Sequence, residues 1–170
     1  MSFESAQAWL AEHAPDLRLI DHGVSTATVR EAAAALGVEE ARIAKTLALR
    51  FGDRIVLLLA AGDVRLDNAK AKAAFGARPR MLPPDETLAV TGHQVGGVCP
   101  FGLATPLPIY CDLSLKPYPA VFPAAGSLTS SVEVAPDRLA TLIGAEWVDV
   151  CSRRAADAAT PAAPPPTPLP

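Results

Sequence analysis

The spacing of apolar and polar positions changes several times along the chain, and each change marks an element. Phe3, Ala6, Trp9 and Leu10 fall on one helical face over residues 2–13, before Pro15. Residues 17–22 alternate as a strand does. Ser25 and Thr26 then offer caps for a helix over residues 28–36, with Val29, Ala32, Ala33 and Leu36 as its stripe and Gly37 as its stop. Residues 43–51 and 55–61 are two apolar runs joined by Gly52-Asp53, a hairpin signal. Asp67 caps a short helix through residue 75 that leaves Lys70 and Lys72 outward, and Pro83-Pro84-Asp85-Glu86 opens another that Gly92 ends.

Beyond Gly92 the pattern is shorter and richer in turns. Prolines keep residues 105–110 extended into Cys111-Asp112-Leu113. Residues 120–122 and 131–134 are short strands around a glycine turn at 124–127. Pro136 and Asp137 begin a helix carrying Leu139, Leu142 and Ile143 up to Gly144, and residues 146–150 form a last strand. Helices and short strands thus alternate over residues 1–152, which read as one domain. Residues 153–170, rich in Ala and Pro, are expected to form a disordered, PPII-like tail.

Composition narrows the class. The chain has 170 residues, enough for one domain with a sizeable core, and half are hydrophobic but only 5% aromatic. Ala, Val, Leu and Ile must therefore build that core. A net charge of −3 argues against a protein coated in nucleic acid, yet nine of the 15 Lys and Arg lie between Arg42 and Arg80 with three acids. Such a stretch is either a solvated face or a surface for a phosphate backbone, with Arg65, Lys70, Lys72, Arg78 and Arg80 as its candidates. The three cysteines have no CxxC spacing and no histidine cluster beside them, so neither a disulfide framework nor a zinc site is expected. No basic-then-apolar leader begins the chain and no apolar run approaches 18 residues, which leads us to expect a cytoplasmic protein without a membrane or DNA partner.

Two places carry chemistry. Lys45 sits among Ile43, Ala44, Thr46, Leu47 and Ala48, so its ammonium either snorkels to water or points into a cleft, where it would bind a carbonyl or phosphate. Gly96-Gly97-Val98-Cys99-Pro100-Phe101-Gly102 is too rich in glycine for a helix or central strand. It is either a tight turn or a loop whose backbone N–H groups approach a ligand. Cys99 within it is a nucleophile only if a histidine activates it, and no motif places His22 or His93 to do so. No recognisable Ser-His-Asp motif is present.

Together, Ile43-Ala44-Lys45-Thr46-Leu47, the loop from Gly96 to Gly102, Leu107-Pro108-Ile109-Tyr110-Cys111-Asp112 and Ala125-Gly126 resemble the prolyl-tRNA editing family. These are the YbaK/EbsC-type aminoacyl-tRNA deacylases related to the insertion domain of bacterial prolyl-tRNA synthetases, and the likeness runs from about residue 15 to residue 150. The resemblance implies a mixed α/β fold, with a curved, barrel-like mixed sheet flanked by helices. It also implies hydrolysis of the ester that joins a small wrong amino acid to tRNA, usually tRNA for proline, without metal or cofactor. Carried over, Lys45 is the essential lysine, and Gly96, Gly97, Val98, Cys99 and Pro100 form the Gly-x-x-x-Pro catalytic loop. Phe101, Gly102, Asp112, Gly126 and Ser127 are assigned to substrate binding. Aminoacyl-tRNA is the implied partner, with prolyl-tRNA synthetase or an elongation factor as a second. Several relatives carry a hydroxyl residue just before the Ala-Gly turn where this chain has Ala124, which puts their amino-acid preference in doubt here. A non-catalytic module that holds tRNA or a synthetase through the basic stretch is the alternative.

Overall fold

The computed structural model describes residues 2–153. Its centre is the expected hairpin: β2 (Ile43–Phe51) and β3 (Arg54–Ala61) pair antiparallel from Ala44↔Ala61 to Phe51↔Arg54. Val56, Leu57, Leu58, Leu59 and Ala60 are all buried, as a strand covered on both faces requires. β6 (Ile109–Asp112) adds parallel to β3, and β9 (Glu146–Val148) adds parallel to β6. The prolines before Ile109 keep that segment extended on its approach.

The other edge of β2 is divided. At one end β7 (Phe122–Pro123) runs parallel to Ile43 and Ala44; at the other β5 (Arg80–Met81) runs antiparallel to Leu49 and Arg50. Between the two a cleft opens along residues 45–48. Two small ladders flank this sheet: β1 (Leu19–Asp21) with β8 (Ser130–Val132), and β4 (Val64–Leu66) with β10 (Cys151–Arg153).

Among the described residues five α-helices pack around the strands: α1 (Ser2–His13), α2 (Val29–Leu36), α3 (Asn68–Phe75), α4 (Pro84–Thr91) and α5 (Pro136–Ile143). Their ends follow the capping residues. Thr28, not the expected Ser25 or Thr26, caps α2: its Oγ1 accepts from the Glu31 amide, while Thr26 Oγ1 donates to the Leu128 carbonyl. Asp67 accepts from the Ala69 and Lys70 amides, and Gly37, Gly92 and Gly144 stop α2, α4 and α5 in the left-handed region. The main core joins Leu49, Leu57, Leu59, Phe101, Leu115 and Leu139; a smaller cluster of Ala32, Ala33, Ile43 and Phe122 seats α2 beside the cleft.

The mixed α/β expectation holds, with three departures. The sheet is open rather than barrel-like, ending at β5 and β9. The expected strand over residues 146–150 stops at Val148: the Val150 amide turns to donate to Asp112 Oδ1 (2.8 Å), and the chain continues as β10. Arg153 therefore belongs to β10, where it pairs with Val64, while the tail expected after it, residues 154–170, lies outside the described residues. No described helix is long and apolar enough to cross a membrane.

Candidate active site

The cleft on β2 has a volume of about 190 Å³. One wall is β2 itself, with Lys45 and Thr46. A second is the start of α2, where Ala27, Val29 and Ala32 present small apolar side chains. Gly96 and Val98 of the glycine loop close it on a third side, and Ser130 and Ser131 of β8 on a fourth. Lys45 and the glycine loop are 50 residues apart in sequence, and the divided edge of β2 brings them to one cavity.

Lys45 is half-buried, and its Nζ donates to the Val64 carbonyl at the start of β4. The stem crosses apolar surroundings and the ammonium is anchored at the far end. Beside it, Thr46 Oγ1 is buried without a hydrogen-bond partner among the described residues.

The glycine loop is rigid for reasons the structure makes specific. Gly96 has φ +99°, and a Cβ there would meet Leu128 Cδ2 at 2.8 Å and Ala27 Cβ at 3.1 Å. At Gly97 a Cβ would meet the Ser127 backbone at 3.0 Å. The two glycine turns of the sequence thus pack directly against each other. The Gly97 amide donates to the Gln94 carbonyl (2.9 Å), which commits one of the N–H groups expected to face a ligand. Gly97, Gly126 and Ser127 line a separate hollow of about 480 Å³ with Phe3, Leu88 and Gln94.

Cys99 is fully buried. Its Sγ lies 3.5 Å from His93 Nε2 and 3.7 Å from the Phe101 carbonyl, and burial pushes the thiol up to about 12. His93 is equally buried, and the loss of water holds its imidazole below the ordinary value, partly opposed by the hydrogen bond to Phe101. His93 Nε2 donates to that carbonyl at 2.8 Å, so the nitrogen facing the thiol carries a proton and has no lone pair to take another. The pair acts as a clasp that holds the loop closed. The nearness of His93 to Cys99 had no signal in the spacing of the sequence.

The remaining expected site residues lie elsewhere. Pro100 and Phe101 are buried, and Phe101 packs against Trp9 with ring centroids 5.6 Å apart. Gly102 turns beneath α1, where a Cβ would meet the Ser5 carbonyl at 2.4 Å. Asp112 is 1% exposed, with Oδ2 accepting from the Ser114 amide (3.0 Å) and Oδ1 from Val150. Its carboxylate ties β6 to the turn before β10 and lines neither cavity. Arg65, Lys70, Lys72, Arg78 and Arg80 are all exposed, but Lys70 is paired with Asp149 (3.0 Å). Arg42, at the start of the basic stretch, is buried and donates to the Ala120 carbonyl.

The partner of His22 had no signal in the sequence. His22 Nε2 lies 2.6 Å from Ser131 Oγ, joining residues 109 positions apart on a serine that lines the cleft. Only the β1–β8 ladder makes them neighbours.

Fold and cleft together describe a domain in which a lysine of the central hairpin and a glycine loop line one cavity. The chain belongs to the aminoacyl-tRNA editing domain family, whose profile matches residues 24–142. It is 43% identical over 153 residues to the uncharacterized protein YwhH of Bacillus subtilis (strain 168), covering 89% of this chain and 98% of that one. It is 38% identical over 109 residues to the proline–tRNA ligase of Geobacter sp. (strain M21); that match covers 62% of this chain and 19% of the ligase. Among solved structures, a candidate trans-editing enzyme for prolyl tRNA synthetase superposes with a TM-score of 0.83 at 35% identity, covering 89% of this chain and 97% of that one.

Proposed function

We propose that this protein is a trans-acting deacylase that hydrolyses the ester of mischarged tRNA, with tRNA for proline bearing a small wrong amino acid as its substrate. The observation that carries the reading is the meeting of Lys45 and Gly96 in one 190 Å³ cleft. Its walls of Ala27, Val29 and Ala32 suit a small aminoacyl group.

Water attacks the ester carbonyl, and negative charge develops on its oxygen. The backbone amides of Gly96 and Val98 stabilise that charge, each donor being worth roughly 2.7–4 kcal/mol. The tetrahedral intermediate then collapses, breaking the bond to the ribose oxygen and releasing the free amino acid and the terminal hydroxyl. An aminoacyl ester is already activated, so orientation and oxyanion stabilisation suffice without a protein nucleophile. Lys45 orients the ester carbonyl or the terminal phosphate from its anchored position. Gly97 and Ser127 act by fixing the loop. The exposed arginines and lysines add salt-dependent affinity for the tRNA backbone, alone or beside prolyl-tRNA synthetase or an elongation factor.

The test is a deacylation panel: purified protein with tRNA for proline charged with alanine, cysteine, serine, threonine or proline. Hydrolysis of one or more wrong esters, with the prolyl ester spared, is the expected result. Tight tRNA binding with no hydrolysis of any ester would make the protein a binding module instead.

A further inference from the structure

The aminoacyl end of such a substrate brings one strongly charged donor into the cleft, its α-ammonium. Among the described residues lining the cleft there is no carboxylate to receive it, and the one charged side chain is Lys45, a cation. A neutral oxygen must serve, and a side-chain hydroxyl is one that a second residue can aim. Several hydroxyls line the cleft: Thr46 Oγ1 is buried without a partner among the described residues, and most of the others are committed as local fasteners. Thr26 Oγ1 donates to the Leu128 carbonyl, Thr87 Oγ1 to the Pro83 carbonyl, and Ser130 Oγ bonds to Ser127 Oγ at 2.6 Å.

Ser131 differs in its partner. It is 3% exposed, sits in the middle of β8 opposite Ile20, and is bridged on its other side to Ala124. The His22 amide donates to the Thr129 carbonyl (2.8 Å), which continues the β1–β8 ladder and places the imidazole diagonally over Ser131. With its proton on Nδ1, His22 accepts the Ser131 hydroxyl proton at Nε2. That fixes the hydroxyl's direction and leaves oxygen lone pairs as acceptors.

We propose that Ser131 receives the α-ammonium of the aminoacyl group, and that His22 is a positioning residue that aims its hydroxyl. The inference rests on the deacylase reading and deepens it: the cleft selects esters that carry a free amino group. A blocked amine would lose a charge-assisted hydrogen bond and crowd the serine.

The experiment measures binding of two non-hydrolysable probes, 3′-deoxy-3′-alanylamido-adenosine and its N-acetyl form. The parent protein should prefer the free amine by about tenfold or more, the range expected for a hydrogen bond to a charged group. Ser131→Ala and the isosteric Ser131→Cys should lose that preference, and His22→Ala should lose most of it. His22→Gln, which keeps an acceptor near the Nε2 position, should restore it. The double variant His22→Ala with Ser131→Ala should lose no more than Ser131→Ala alone. A parent that binds both probes equally, or serine variants that retain the preference, would overturn the proposal. Failure of the deacylase reading looks different: the amine preference is present, yet mischarged tRNA is not hydrolysed. A parent that binds neither probe sinks both.

Discussion

At the scale of single residues, the buried histidine decides how rigid the glycine loop is. His93 gives its Nε2 proton to Phe101, its backbone amide donates to Thr91 Oγ1, and it shares its surroundings with a thiol that stays protonated. Burial keeps the imidazole neutral, so its folded-state pKa lies below the ordinary 6.5. The unfolded chain binds a proton near 6.5 that the folded protein refuses. The stability His93 confers is therefore complete above about 6.5 and is lost as pH falls towards the folded value. The slope is at most about 1.4 kcal/mol per pH unit. Thermal unfolding from pH 7.5 to 5 should show the parent losing stability more steeply than His93→Gln; equal slopes would remove His93 from this role. Lys45 was legible in the sequence because a cation inside an apolar strand breaks the pattern. The partners of His22 and His93 were not, because a hydrogen bond across 109 residues, or within an irregular loop, leaves no periodic trace.

At the scale of elements, the cleft exists because β2 is long and its outer partners are short. β5 and β7, two residues each, cover its ends and leave the middle open. The β2–β3 hairpin was readable from two apolar runs and Gly-Asp, and helix ends were readable from Asp67 and the stop glycines, while the cap of α2 is Thr28 rather than Ser25 or Thr26. β4, β5 and β10 were not readable, since they are too short to show a period and arise from tertiary pairing, whereas the equally short β1, β8 and β9 overlap expected strands. Asp112 illustrates the same limit: its position was clear, but its service to two backbone amides depends on where β10 turns. The loop's own prediction follows from Gly97. A methyl group there forces the Ser127 backbone to give by a few tenths of an ångström. Gly97→Ala should slow deacylation by about tenfold, and Gly97→Val by more, because small misplacements at a reacting centre are costly. tRNA affinity should stay near that of the parent. A titration in which affinity and rate fall in equal proportion would make the loop part of the tRNA-holding surface only.

At the scale of the whole molecule, the net charge of −3 hides an uneven surface. The basic stretch is thinner in the fold than in the sequence, because Arg42 is buried, Arg50 pairs with Glu86 and Lys70 with Asp149. Exposed Arg54, Arg65, Lys72, Arg78 and Arg80 remain as its surface. If they meet tRNA phosphates, Lys72→Glu and Arg78→Glu should each weaken binding and reduce the slope of log affinity against log salt by about one. The rate at saturating tRNA should hardly change. Unaltered salt slopes would return these residues to the solvated face that the sequence equally allowed.

The central claim is that ester hydrolysis takes place in the cleft on β2, and Lys45 tests it most directly. Single-turnover deacylation of mischarged tRNA for proline is to be measured for the parent and for Lys45→Ala, with thermal unfolding recorded for both. Lys45→Ala shortens one half-buried side chain in an otherwise apolar strand, so the variant should remain folded. Its rate should fall on the order of 10²-fold or more, the scale seen when a group that stabilises the transition state is removed. A folded Lys45→Ala variant that deacylates at the parent's rate would contradict the account.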